Sequence, residues 1–287
     1  MATLAGFSAA DFAVDVCDEE YANYINELRT AVNEEQFEVF YQPIIDMKSG
    51  RIIKAETLIR WQHPKYGLLG ADSIIRLAEE TGMIVDIGNW IFYKSTEQLA
   101  IWREKYDRNL KISVNTSPSQ YRDDGCVVQA WFDHMDTLNL PYDALIVEIT
   151  ESMMLDFDAG VTDKLEAFRK GGAKIALDDF GTGYSSLSYL QQINSDFLKI
   201  DRSFVNNITE NERNMLLCRE IINIAHIFGM EVIAEGIETS EQGKLLAASG
   251  CDYGQGYLYS KPVSAREYED LLIQQKRQSK THVALLR

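Results

Sequence analysis

Two hydrophobic periods alternate along the chain. Short apolar and β-branched runs, read as strands, cover Phe37 to Pro43, Arg51 to Leu58, Leu110 to Asn115, Ala144 to Thr150, Lys174 to Asp178, Phe197 to Asp201 and Glu231 to Glu235. A weaker run spans Asp252 to Tyr257. Between the runs, apolar positions fall at helical spacing. Asp72 to Thr81 reads as a helix that Asp72 caps and Gly82 ends. Asn214 to Phe228 reads as another, with Leu217, Ile221, Ile224 and Phe228 as its apolar stripe and Gly229 as its stop. Eight strands with interleaved helices predict a single α/β barrel of the (β/α)8 type, and 287 residues suit one such unit. An open doubly wound sheet satisfies the same alternation and stays the structural alternative. The first residues, with FSAADFAVDVCDEE, break the pattern. The expected division is therefore a lead-in segment at 1–23, the barrel at 24–275 and a peripheral tail at 276–287.

A barrel gathers the carboxyl ends of its strands at one mouth, where active sites are built. The runs deliver Glu56 and then Arg60, Asn115, Glu148 with Glu151 beyond it, and the adjacent pair Asp178 and Asp179. They go on to Lys199 with Asp201 on the same face, Glu235 with Glu238 in the turn, and Gln255. Singly, each is an ordinary helix cap or solvated loop residue. Together they would repel across a small mouth unless something positive lay between them. Carboxylate and amide oxygens are hard ligands for Mg2+ or Mn2+, and their number suits two ions, which is an arrangement for phosphoryl chemistry. In that setting Lys199 orients a water or steadies a phosphate oxygen, and Arg60 holds a non-bridging oxygen. A structural ion pair between Lys199 and Asp201 is one competing reading, and a Schiff-base lysine is another. The second leaves the crowd of carboxylates unexplained.

Charge narrows the partners. With 28 Lys and Arg against 44 Asp and Glu the net charge is −16, which argues against attachment to a nucleic-acid backbone. Cysteines 17, 126, 218 and 251 have no CxxC or zinc spacing, so a reduced, cytoplasmic chain is expected, free or as part of a membrane-anchored protein. No apolar run reaches the roughly 18 residues of a membrane span, and no membrane contact is expected from this segment. GTGYSS at 181–186 lacks the third glycine of a dinucleotide loop and reads as a mobile loop. His63, His134, His226 and His282 are too scattered for a zinc site, and His226 reads as a core or interface residue. Trp61, Trp90, Trp102 and Trp131 read as packing residues.

The strand-end residues also carry a resemblance. YQPI at 41–44, AETLIRW at 55–61, SVNTSPSQ at 113–120, EITES at 148–152, LDDFGTGYSSLSYL at 177–190, LKIDRSFV at 198–205, VIAEGIET at 232–239 and GCDYGQGYLYSKPV at 250–263 resemble the EAL domain of cyclic-di-GMP phosphodiesterases. The resemblance implies a barrel of the TIM type whose first strand runs antiparallel, and hydrolysis of cyclic-di-GMP to linear pGpG. It implies that Glu56, Asn115, Glu148 and Asp178 hold one Mg2+ or Mn2+, and that Asp178, Asp179 and Glu235 hold a second. Lys199, Glu235, Asp179 and Glu238 are then the catalytic group, and Arg60, Gln42, Gln255 and Asp201 the substrate contacts. Glu151 would hold the DDFGTGYSS loop. A homodimer through the face near residues 181–190, and an upstream regulatory domain in a longer protein, are expected on the same ground. Thr57 stands where the family signature has alanine, beside the ligand and not itself one. A silent receptor that binds cyclic-di-GMP and signals by conformational change is the alternative from a different class. Such relatives usually lack ligands that this sequence retains.

Overall fold

The computed structural model describes residues 18–32, 34–122, 127–151, 153, 159–181, 190 and 194–285. The expected lead-in before residue 18 and the loop residues 182–189 lie outside them. Helix α1 (Asp18–Ala31) precedes β1 (Phe37–Asp46), β2 (Ile52–His63) and a short β3 (Gly67–Leu69). There follow α2 (Asp72–Thr81), α3 (Ile84–Lys105), β4 (Lys111–Asn115), α4 (Ser119–Arg122), α5 (Val127–Thr137), β5 (Leu145–Thr150), α6 (Ala159–Gly171) and β6 (Lys174–Phe180). The chain continues through β7 (Phe197–Ile200), α7 (Arg202–Val205), α8 (Glu212–Ile227), β8 (Glu231–Ala234), α9 (Ser240–Ala248), β9 (Tyr253–Gly254) and α10 (Ala265–Leu285).

The strands close on themselves. β2 and β4 to β9 pair in parallel in chain order, and β1 joins β2 on one side and β9 on the other, antiparallel to both. This is the barrel with an antiparallel first strand, and the open-sheet alternative falls. β3 is a ninth strand that the periodicity missed; it folds back on β2 as a hairpin, with Trp61 opposite Leu69. Three residues are too few to carry an alternation.

Strand alternation sorts the side chains between lumen and helices. Facing outward, residues such as Ile112, Val147, Ile175, Leu198 and Val232 join the large core under the helices. Facing inward, Ile44, Ile146, Ala176, Phe197 and Ile233 make a small second core that fills the lumen, with Tyr253 against it. Both faces are buried, which is why these strands read as continuous apolar runs. Two residues nearer the mouth than this inner layer, the same face of the same strands carries Gln42, Glu148, Asp178, Lys199, Glu235 and Gln255. Glu56 stands in the same relation to Lys54, and Asn115 to Ser113.

Some element ends and faces differ from the sequence reading. Asp72 does not cap α2: the N-cap is Ala71, with no side-chain bond, and Asp72 lies in the first turn, where its charge faces the positive end of the helix. Gly82 does end it, in the left-handed region at φ 75°. α8 begins earlier, capped by Asn211, whose Oδ1 accepts from the amides of Arg213 and Asn214. Its buried side is Cys218, Ile221, Ile222 and Ala225, while Leu217 and Phe228 are exposed. Ile221 of the expected stripe is buried and Ile224 packs partly against the core, so the stripe misses only at its two ends. His226 faces outward, and its Nε2 lies 2.9 Å from Asp252 Oδ2, which also accepts from the Val232 amide. It is an exposed tie between α8 and the approach to β9, not a core residue. The tryptophans pack as expected, with Trp61, Trp102 and Trp131 fully buried. Backbone of α10 continues without a break past residue 275.

Candidate active site

Strand ends bring six charged side chains to the mouth of the lumen. Lys199, at 1% side-chain exposure, stands at the centre: its Nζ lies 2.7 Å from Glu235, 2.9 Å from Glu148, 3.0 Å from Asp178 and 3.7 Å from Glu56. Asp201 is not its partner. That residue caps α7 by accepting from the Ser203 amide at 3.0 Å, so the structural pair considered for these two is not formed. Asn115 Nδ2 donates to Glu56 Oε1 at 3.0 Å. Gln255 Nε2 donates to Gln42 Oε1 at 2.9 Å and also to Glu56 Oε2, so β1, β2 and the segment after β9 are tied together.

One ammonium against so many carboxylates leaves negative charge uncompensated. Burial works against the charge of Lys199, but Asp178, Glu148, Glu235 and Glu56 outweigh it and hold its pKa well above the ordinary lysine value. The carboxylates show the complementary effect. Burial pushes Glu148 up to about 8, with Glu56 and Asp178 adding repulsion and Lys199 opposing. Burial likewise raises Glu235 well above its ordinary value and raises Asp179, whose next largest influence is Asp178. Without another cation, Glu148 keeps its proton at neutral pH.

The donor set fits a hard divalent cation. Oxygens of Glu56, Glu148 and Asp178 lie within 4.8 Å of one another, and so do those of Asp178, Asp179 and Glu235, so that Asp178 belongs to both groups. Glu148 Oε1 is fully buried without a hydrogen-bond partner, which is costly for a carboxylate oxygen unless an ion takes it up. Asp179 reaches its place through strain: it has φ 56°, which is unusual for a residue other than glycine, and the β6–β7 register shifts between Leu177 and Phe180. Its amide donates to Asp178 Oδ1 at 2.9 Å. The two adjacent aspartates thus share one site although strand alternation would send them to opposite faces.

The remaining expected residues are spread around this centre. Glu238 lines the pocket of about 250 Å3 over the mouth, with Gln42, Leu58, Gly236 and Tyr257. Arg60 is half-buried farther along β2, where its Nη1 donates to the Ile59 carbonyl at 2.8 Å and its guanidinium lies over Phe40. Glu151 Oε2 accepts from the Gly181 amide at 2.8 Å, where the chain leaves β6. Sequence reasoning missed Arg202 and Asn206, which line the same pocket from α7 and the residue after it. The signal available was their spacing of four beyond a strand that ends in Lys199.

A closed barrel with one antiparallel strand and an acidic mouth whose oxygens could hold a metal ion defines the class, and sequence comparison gives the family. The EAL domain model matches residues 25–262, and the chain belongs to the EAL domain family. It is 36% identical over 250 residues to the cyclic di-GMP phosphodiesterase PdeR of Escherichia coli (87% of this chain, 37% of that protein). It is 36% identical over 247 residues to the cyclic di-GMP phosphodiesterase NbdA of Pseudomonas aeruginosa (86% and 31%). The chain thus spans about a third of the length of the curated relatives it matches. Among solved structures, the PaMucR phosphodiesterase in complex with c-di-GMP superposes with a TM-score of 0.81 at 33% identity, covering 86% of this chain and 99% of that one. Among the described residues, no helix is long and apolar enough to cross a membrane.

Proposed function

We propose that this chain is a metal-dependent hydrolase that opens cyclic-di-GMP to linear pGpG. The observation that carries the reading is the pair of carboxylate groups joined at Asp178 and centred on a buried lysine. Glu56, Asn115, Glu148 and Asp178 would hold one Mg2+ or Mn2+, and Asp178, Asp179 and Glu235 a second. Bound there, such ions neutralise the diester's charge and lower the pKa of coordinated water toward neutrality.

The chain's own groups supply the rest. Lys199 has three N–H donors, and its three shortest contacts engage them with Glu235, Glu148 and Asp178. With those carboxylates holding metal, a donor of Lys199 would be free to orient the attacking water in line with the leaving ribose oxygen. Glu235, with Asp179 in its oxygen cluster and Glu238 lining the pocket, would accept the proton that water gives up, and a proton then passes to the departing ribose oxygen as its bond to phosphorus breaks. Gln42 and Gln255 fix Glu56 and face the substrate, Arg60 takes a phosphate oxygen, and Asp201 orders the α7 turn beside it. Glu151 anchors the start of the loop after β6. Two copies associate through the face near residues 181–190, as the family resemblance implies. Monomeric sedimentation at high protein concentration would remove that last element.

The test is incubation of the purified chain with cyclic-di-GMP, with and without Mg2+ or Mn2+, and chromatography of the products. Metal-dependent pGpG is expected, and Glu56→Ala should lower turnover by at least about a hundredfold. Tight binding without product under either metal would instead make this a receptor.

A further inference from the structure

On the pocket wall formed by α7, two polar side chains have no partner among the described residues. Arg202 opens α7, and the Asn206 amide donates to the Arg202 carbonyl at 2.9 Å, the helical i to i+4 bond that sets both side chains on one face. Both are exposed, both line the pocket, and among the described residues neither side chain makes a hydrogen bond or ion pair. Their position is enforced from behind. Gly236, with φ 67°, lies directly beneath them, and a Cβ there would run into Arg202 and come to 3.6 Å from Asn206 Oδ1. The turn that follows Glu235 therefore sets the place of the Arg202 backbone, close to the reacting centre and outside it.

The rest of that pocket decides what Arg202 meets. Glu56, Asp178, Glu235 and Glu238 line it, and Leu58 and Tyr257 add apolar walls, Tyr257 being largely exposed. A second phosphate near Glu238 would be repelled, whereas the flat face of a base suits the Tyr257 ring. A base edge offers neutral acceptors to an unpaired guanidinium. The fork of arginine matches O6 and N7 of guanine, and an amide one helical turn away can accept from the neighbouring N1–H.

We infer that Arg202, supported by Asn206, reads the O6 and N7 edge of one guanine of the substrate and sets base specificity for the reaction proposed above, on which this inference rests. The test compares kcat/KM for cyclic-di-GMP and for its 7-deazaguanine analogue, in the unaltered chain and in Arg202→Ala. Loss of N7 should cost the unaltered chain about tenfold. Arg202→Ala should lose about tenfold to a hundredfold on the natural dinucleotide, mostly in KM, and should then be indifferent to the deaza substitution. Arg202→Lys should not restore the loss, because a single ammonium cannot form the fork. Asn206→Ala should lose several-fold, also in KM. Equal sensitivity of both proteins to the deaza change would overturn the inference. So would losses shared alike by the two dinucleotides and rescued by lysine, which describe a phosphate contact. Absence of turnover by the unaltered chain with metal is a different result, one that removes the proposed function and the inference together.

Discussion

Lys54 and Lys199 are both buried in the same lumen, and their surroundings drive them in opposite directions. Lys199 sits among carboxylates, whereas Lys54, two residues below Glu56 and 2% exposed, has no hydrogen bond to Nζ and lies over the rings of Phe197 and Tyr253, at 3.8 and 3.1 Å from their centroids. Burial outweighs the distant pull of Glu231, and the pKa falls to about 7. The unfolded chain keeps its proton to about pH 10.5, so between pH 7 and 10.5 it binds the proton that the folded chain has lost, and stability rises with pH across that window. Below pH 7 both states are charged and the folded one carries the full desolvation cost. Lys54→Met keeps the bulk without the charge. It should raise the unfolding temperature most at pH 6, and the gap should narrow toward pH 10 by about 1.4 kcal/mol per pH unit. A gap independent of pH would mean that Lys54 is not the titrating group. Nothing in the sequence marks this residue, because a lysine in an alternating run reads as facing solvent. The polar strand ends were legible for the converse reason: each is polar where the pattern calls for burial, and eight such departures, four of them acidic, at one end of a barrel are hard to place in water.

Elements hold these residues through short segments whose geometry tolerates little change. β9 is two residues long, yet Gln255 just beyond it donates its amide to Ala234 at 2.8 Å and accepts from the Ile237 amide at 3.0 Å, which fixes its side chain against Gln42 and Glu56. Gly256 permits this crossing, since a Cβ there would collide with the backbone nitrogen, carbon and oxygen of Ile237. Backbone cannot swing aside as a side chain does. Gly256→Ala should therefore destabilise the fold by about 1–3 kcal/mol in denaturant unfolding and reduce turnover by displacing Gln255. Unfolding indistinguishable from that of the unaltered chain would show that the crossing has room to move. Periodicity places such an element within a few residues but is silent on its contacts. The Asp252 to Tyr257 run was the weakest of the strand readings, and the observed strand is only Tyr253–Gly254. The ends of the α8 stripe show the same limit: Leu217 and Phe228 are the larger side chains yet stand exposed, while Cys218 and Ala225 are buried.

At the scale of the molecule, the direction of β1 was open to resemblance and closed to periodicity, because alternation is the same whichever way a strand runs. The consequence is a barrel with unequal seams: β1 pairs with β2 from Phe37 to Ile45 but reaches β9 only through Ile45 and Asp46. Across this ring the mouth sets Glu56 on β2, Glu148 on β5, Asp178 on β6 and Glu235 after β8, four carboxylates whose mutual repulsion the single ammonium of Lys199 offsets only in part. A divalent ion taken up there would crosslink the mouth ends of β2, β5 and β6, or of β6 and the residue after β8. Mg2+ or Mn2+ at about a hundred times its dissociation constant should stabilise the fold by about 2.7 kcal/mol, seen as a rise of several degrees in the unfolding temperature. Net charge complicates the reading, because a chain at −16 is stabilised by any cation that screens its surface. Two controls separate the effects. NaCl at matched ionic strength should give only a small shift, and Glu56→Ala should keep that small shift while losing most of the divalent one. Equal divalent shifts in Glu56→Ala and the unaltered chain would place the ions on the acidic surface and leave the mouth without a metal.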